Sequence, residues 1–351
     1  MPTSRRLAHA LRACLLLAVL AVVAGCGSSS DDEKSGGASS TATATTAAAG
    51  TFPATVEHKF GTTTVESAPR RIVTVGLTEQ DTVLALGSVP IATTEWYGER
   101  PNAVWPWASA ALGDAKPEVL SNKDGFQFER IAALEPDLII GTNAGMRRGD
   151  YEKLSALAPT ITSAKGSTDY FSRWDEQVEL IAAALGRPEQ GQQLVRDVRA
   201  RFSDAAAEHP EFKGKTVSFN QNGFYDGQIY SYPDGLNTEF LTYLGFEIEP
   251  RVTALATKPG VQVGVSAERL DVLDSDVALF ATEEPKDVKA LEKIPTFMRM
   301  DSVARHRAVF TDGTLAGAIY FMTPLSLEYV AEQLPPQLAR AVAGRAPRAI
   351  G

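Results

Sequence analysis

Cysteine is nearly missing from this chain: its 351 residues hold two, Cys14 and Cys26, both close to the start. If the opening segment is removed and Cys26 is modified, the mature protein has no disulfide to form, no thiolate metal site and no nucleophilic cysteine. Basic charge is also short, with 34 lysines and arginines against 43 acidic residues. Without a basic field to displace counterions from phosphates, a nucleic-acid partner is excluded. Histidine is sparse. Beyond the opening segment there are His58, His209 and His306, far apart and without a glutamate or cysteine at metal-ligand spacing, so no bare zinc or manganese site is expected. Neither G-x-S-x-G nor H-E-x-x-H occurs, the glycine loops lack a phosphate-binding Lys-Ser/Thr, and Thr311-Asp312-Gly313-Thr314 matches the aspartic-protease D-T-G only loosely. No enzymatic activity is expected. Long apolar runs are lacking too, with one exception.

That exception is residues 11–23, set among Arg5, Arg6 and Arg12 and ending in small residues. It is too short to span a membrane comfortably and reads as a secretory leader covering residues 1–25. Val23-Ala24-Gly25-Cys26 is similar to a bacterial lipobox, with valine where leucine is more usual. Cys26 is therefore the expected lipidation site and mature first residue; the alternative is plain secretion with a chance cysteine. Removing the leader takes three arginines and no acid, leaving a net charge of −12. Residues 27–51 are almost all Gly, Ser, Thr and Ala around Asp31-Asp32-Glu33-Lys34. Such a segment buries too little apolar surface to offset chain entropy, which predicts a flexible tether over residues 26–54. A lipid at its head places the folded part at the extracytoplasmic face of a cell membrane.

The remaining 300 or so residues suffice for two ordinary domains. Two stretches resemble each other: FQFERIAALEPDLIIGTN at 126–143 and GVSAERLDVLDSDVALFATE at 264–283. Each has a Glu-Arg pair, a short amphipathic helix, an aspartate eight positions after the glutamate, and then a β-rich apolar run. The pattern predicts a helix leading into a parallel strand covered on both faces, once in each of two similar α/β lobes. Further strands are expected at 71–75, 89–92, 160–162, 216–219 and 308–310, and helices at 79–86, 151–157 and 238–244. Between the halves, Trp174, Val178, Ile181 and Leu185 form a helical stripe that Gly186 ends. Pro188 opens a second helix running through Leu194, Val195, Val198 and Phe202 toward His209. The expected architecture is two Rossmann-like α/β lobes, 55–168 and 211–351, joined by a rigid helical spine at 169–210, with a ligand cleft between them.

Taken together, PRRIVTVGLTEQDTVLALG at the start, FERIAALEPDLII, the long connecting helix and SAERLDVLDSDVALF resemble the ferric-siderophore and cobalamin type, class III, of ABC-transporter substrate-binding protein, over essentially all of residues 55–335. The resemblance implies lobes that close little, a ligand held outside the carboxyl ends of the strands, and one glutamate per lobe docking onto arginines of the membrane permease. By motif these are Glu129 and Glu268; the alternative is that they only favour the helix dipole. A monomer is expected.

The stretch TTEWYGERPNAVWPW, residues 93–107, follows a strand of the first lobe. Trp96, Tyr97, Trp105 and Trp107 are candidates for broad contact with a large chelate, and Arg147, Arg148 and Arg100 for recognition of its oxygens. Asn143 follows the strand that ends the first repeat. The second lobe offers Asn222 and Tyr225 in the stretch 220–225, then Tyr230 with Ser231 and Tyr232, then Arg251, and Glu283 with Thr282 at the end of the second repeat. The alternative for Trp105-Pro106-Trp107 is that it folds back as core of its own lobe. The implied cargo is iron held inside a siderophore, with no resident cofactor. Haem, with a tyrosine or His306 as axial ligand, and cobalamin remain rival cargoes. A surface lipoprotein that binds a protein partner is the third possibility.

Overall fold

The structure is a computed structural model that describes residues 50–350 except 168, 169, 171 and 259, with Asn222 described by its backbone only. The leader, Cys26 and nearly all of the tether lie outside the described residues.

A hairpin of β1 (Ala54–His58) and β2 (Gly61–Val65) opens the folded part. The first lobe is a five-stranded parallel sheet built from β3 (Ile72–Thr74), β4 (Ala92–Glu95), β5 (Glu118–Ser121), β6 (Leu138–Gly141) and β7 (Thr160–Thr162) in the order β5-β4-β3-β6-β7. Around it lie α1 (Glu79–Ala85), α2 (Pro106–Leu112), α3 (Phe128–Ala133) and α4 (Arg148–Ser155). All four residues of β6 are buried, as expected of a strand sandwiched between two helical layers. The strand expected at 89–92 begins three residues later. Pro90 lacks the donor that a ladder needs, whereas the β-branched Thr93 and Thr94 suit a strand. Their buried hydroxyls donate to the carbonyls of Asn102 (2.7 Å) and Thr74 (3.0 Å).

Two helices follow, α5 (Trp174–Ala184) and the 21-residue α6 (Pro188–Glu208), which is about 31 Å long at 1.5 Å per residue. Ile181, Ala182 and Leu185 enter the first lobe's core, Val195, Val198, Phe202 and Ala205 enter the second, and Leu194 packs against both. The spine is thus seated in two cores at once. Arg173, just before α5, adds an ion pair to Glu239 (2.7 Å) at the start of α7.

The second lobe has a mixed sheet of β8 (Thr216–Tyr225), β9 (Gln228–Tyr232), β10 (Glu247–Ile248), β11 (Val263–Ser266), β12 (Val277–Ala281) and β13 (Ala308–Phe310), ordered β11-β9-β8-β12-β13 with β10 alongside β8. The stretch 220–225, beyond the strand expected at 216–219, continues β8 across an irregularity and turns at Asp226-Gly227 into an antiparallel hairpin with β9. Both turn residues have positive φ, 48° and 79°, the conformation that Asp-Gly supports in a two-residue hairpin. The helix expected in the second repeat is a 3₁₀ segment, Ala267–Leu273, kinked at Arg269. The remaining helices are α7 (Glu239–Tyr243), α8 (Pro250–Leu255), α9 (Pro285–Glu292), α10 (Pro295–Met298), α11 (Asp301–Ala304), α12 (Gly313–Phe321), α13 (Pro324–Gln333) and α14 (Pro335–Val342).

One connection has no signal in local sequence. Although α13 comes from the end of the chain, it packs on α1 and α2 of the first lobe, with Leu325 against the cluster of Leu84, Val104, Ala108 and Leu112. A buried carboxylate marks this seam. Asp81 accepts hydrogen bonds from the Trp107 indole N–H and the Thr323 hydroxyl, each at 2.7 Å. Burial pushes its pKa up to about 6, against the pull of those two donors.

Candidate functional site

Because the strands of the first sheet are parallel, every segment that follows one emerges at the same end. Leu77 follows β3, Trp96 and Tyr97 follow β4, and Asn143 follows β6. In the second lobe Glu283 follows β12, and Ile319 and Tyr320 lie on α12, which follows β13. These residues line one cleft of about 620 Å³, together with Tyr170, Phe219, Gln221, Tyr232, Asn237 and residues 260–262. Open α/β sheets place ligand sites at this end. A second cavity of about 510 Å³ shares Gln221 and Gln262 with the first and is lined further by Tyr225, Tyr230 and Asp287, among others.

The first lobe's wall rests on a buried acid. Glu79, 1% exposed, accepts from the backbone N–H of Asn143 (2.6 Å) and of Thr78 (3.0 Å). Asn143 Nδ2 in turn donates to the Thr78 hydroxyl at 3.1 Å. Burial raises the Glu79 pKa to about 7, with the backbone donors opposing. A Cβ at Gly76 would lie 1.9 Å from a Glu79 carboxylate oxygen, so the tight fit needs glycine.

Trp96, 37% exposed, stands edge-on to Tyr97 with ring centroids 4.9 Å apart. The Tyr97 hydroxyl is buried and has no hydrogen-bond partner among the described residues. Burial is the main cause of its raised pKa, with the Glu283 carboxylate adding to it and Arg100 working against it. In the opposite lobe Tyr232 stacks on Phe219 (4.7 Å, 14°). Burial pushes its pKa up to about 12, while a hydrogen bond with Gln262 works the other way. At neutral pH both phenols therefore keep their protons. Gln262 also donates to Gln221 at 2.6 Å.

The other sequence candidates lie elsewhere. Trp105 is 3% exposed, stacked on Trp107 (5.0 Å, 14°) and capped by the Arg100 guanidinium 4.3 Å from its ring. Both indoles meet Phe321 of α12, at 5.8 and 5.2 Å. They therefore fill the joint between lobes and do not line the cleft. Arg148 lies over Phe60 at 5.0 Å, and Arg147 stands exposed before α4 outside the cleft lining. Arg251 pairs with Glu249 (2.7 Å) and donates to the carbonyls of Asp271 and Asp274, at the end where β12 begins, opposite the cleft. The Asn222 side chain lies outside the described residues. Asp312, in the protease-like tetrapeptide, caps α12 by accepting from Leu315 N–H at 2.7 Å. The mature histidines sit away from the cleft: His58 contacts Thr63, His209 pairs with Glu211, and His306 Nδ1 faces the Ala346 carbonyl. Among the described residues no group of three or more His, Cys, Asp or Glu side chains is arranged to hold a metal ion.

Sequence reasoning passed over Leu77, Tyr170, Asn237, Ile319 and Tyr320 as cleft residues. Tyr170 is tied to the first lobe through its hydroxyl, 3.3 Å from the Ala144 carbonyl. Tyr320 reaches the Ala281 carbonyl at 3.3 Å. A signal existed for the second lobe: the Asp226-Gly227 hairpin places Tyr230 and Tyr232 on one face by strand alternation. Glu129 and Glu268 are both exposed, one following β5 and the other β11. Neither carboxylate has an ion-pair partner among the described residues.

Known proteins share this arrangement. The chain is 29% identical over 245 residues to a Bacillus subtilis protein named probable siderophore-binding lipoprotein YfiY, covering 68% of this chain and 72% of that one. The crystal structure of a periplasmic solute binding protein from Mycobacterium smegmatis superposes with a TM-score of 0.76 at 39% identity, over 82% of this chain and 98% of the other. That of the iron uptake ABC transporter substrate-binding protein PiaA from Streptococcus pneumoniae gives 0.68 at 25% identity, over 83% and 99%. A family profile described as periplasmic binding protein matches residues 72–314. With twin sheets, a helical spine and a cleft at the strand ends, the chain belongs to the periplasmic binding protein family, a family of substrate-binding transport proteins.

Proposed function

We propose that this protein is the extracytoplasmic capture subunit of an ABC importer, which binds a ferric siderophore and hands it to a membrane permease without bond chemistry. The observation that carries this reading is the cleft itself: aromatic side chains from both lobes face one another across a space for a ligand of siderophore size. The names of the Bacillus and Streptococcus relatives support iron as cargo. Cys26 holds the lipid anchor in this reading, and the tether leaves the folded part free to meet its permease. Iron enters and leaves inside its chelate, so no resident cofactor is needed.

Docking is assigned to Glu129 and Glu268, which are exposed at equivalent places of the two repeats. Titration of the purified protein with ferric siderophores, haem and cobalamin, followed by tryptophan emission, tests the cargo. Trp96 and Tyr97 in the cleft wall predict quenching by a ferric siderophore. Quenching by haem or cobalamin alone changes the cargo, and no response to any of them favours a protein partner. For docking, charge reversal at both glutamates is expected to abolish uptake in cells while leaving affinity for the chelate unchanged. Normal uptake by that double variant would remove the docking role.

A further inference from the structure

Among the described residues that line the cleft and the adjoining cavity there are two carboxylates, Glu283 and Asp287, and no lysine, arginine or histidine. The arginines nearest in sequence are engaged elsewhere or stand outside the lining: Arg100 on Trp105, Arg148 on Phe60, Arg251 at the far end of its sheet. What the cleft presents instead is neutral side chains, the amides of Asn143, Gln221 and Gln262, the Tyr232 phenol and the ring of Tyr97.

Iron chelates differ in charge in a way that this lining can sort. Three hydroxamates, each carrying one negative charge, balance Fe(3+) and leave a neutral complex; an appended ammonium makes it cationic. Three catecholates carry two charges each and leave a complex of −3. An anionic chelate would leave water for a site that offers it no counter-charge and sets carboxylates nearby, which is unfavourable in both desolvation and Coulomb energy. A neutral hydroxamate asks for donors to its oxygens and for apolar contact, and the cleft supplies both. The side-chain amides of Asn143, Gln221 and Gln262 carry such donors. Resting on the siderophore reading above, we infer that the cleft selects ferric chelates without net negative charge, of the hydroxamate class, and that Glu283 enforces the selection.

Glu283 is held in place for this role. Its backbone N–H donates to Asp287 at 3.0 Å in the cap of α9, and a Cβ on Gly313 would lie 3.1 Å from its carbonyl oxygen. Its field reaches across the lobes to the Tyr97 hydroxyl, where it outweighs that of Arg100.

The experiment titrates the purified lipoprotein, in detergent micelles, with ferrichrome (neutral), ferric desferrioxamine B (cationic) and ferric enterobactin (−3), reading tryptophan emission. The two hydroxamates are expected to bind at least about 100-fold more tightly than the tris-catecholate. Glu283→Gln is expected to narrow that gap roughly tenfold by strengthening the tris-catecholate. Glu283→Asp, which keeps the charge, should preserve the gap, as a purely structural role would not. Equal or tighter binding of the tris-catecholate, or a gap that Glu283→Gln leaves intact, overturns the selection while leaving siderophore capture standing. Binding of none of the three removes the siderophore reading and this one with it.

Discussion

Trp96 and Tyr97 on one side, and Trp105 and Trp107 on the other, lie within a dozen residues of each other and share one chemistry, yet they end in different surroundings. Both pairs reach Phe321 of α12, but only the first lines the cleft, while the second is wedged between the lobes. The difference is made by backbone and partner. Gly98 turns the chain directly beneath the Trp105 ring, where a Cβ would lie 2.6 Å away, and Pro106 starts α2 so that Trp107 points at Asp81. From the far end of the chain, Gly317 leaves the space that Trp105 fills, since a Cβ there would lie 2.7 Å from the indole. An aromatic-rich loop is therefore two things at once, a ligand wall and a joint.

The contrast breaks most visibly under truncation. Trp105→Ala is expected to lower unfolding free energy by about 3–5 kcal/mol in a denaturant titration. Trp96→Ala should cost less than about 1 kcal/mol while weakening chelate binding about tenfold. Exchange of these two effects would reverse the assignment.

Glu79 sharpens the comparison because it supports the cleft wall alone. Its folded pKa, about 7, lies above the ordinary value of 4.5. The stability that its proton brings is complete below pH 4.5 and is lost as pH rises through 7. Glu79→Gln should flatten this dependence, so that the stability difference between variant and wild type changes by on the order of 3 kcal/mol between pH 4 and pH 8. A difference that stays constant, or one of opposite slope, would show that the carboxyl is not held protonated.

Adding a methyl group tests the joint from the other lobe. Gly317→Ala is expected to destabilise by about 1–3 kcal/mol, through Trp105, with the loss relieved in a Trp105→Phe background. At the seam, Thr323→Val removes one of the two donors to Asp81 together with the side-chain cap of α13 and should cost about 1–2 kcal/mol, visible as a lower denaturation midpoint.

Much of the fold can be read from the sequence because strands buried on both faces write continuous apolar runs, as at Leu138–Gly141 and Val277–Ala281. Strand ends are legible for the same reason, and Trp96, Tyr97, Asn143 and Glu283 reach the cleft because parallel topology sends every such end to one side. Side-chain direction is not written locally. Arg148 and Arg251 also follow expected elements, but their surroundings are set by Phe60 and by the carbonyls of Asp271 and Asp274, all far away in sequence. Glu79 and Asp81 look like ordinary acids at a helix start; their burial comes from Asn143, Trp107 and Thr323. The 3₁₀ segment after β11 repeats the spacing of α3 without its geometry, because spacing fixes where the chain must turn and not how tightly it winds.

The seat of α13 on the first lobe has a consequence for biogenesis. Leu84, Val104, Ala108 and Leu112 receive Leu325 from more than two hundred residues downstream. A ribosome that has finished only the opening half has therefore made a body with an uncovered greasy face. A chain cut short before Pro324 would therefore emerge sticky and prone to degradation.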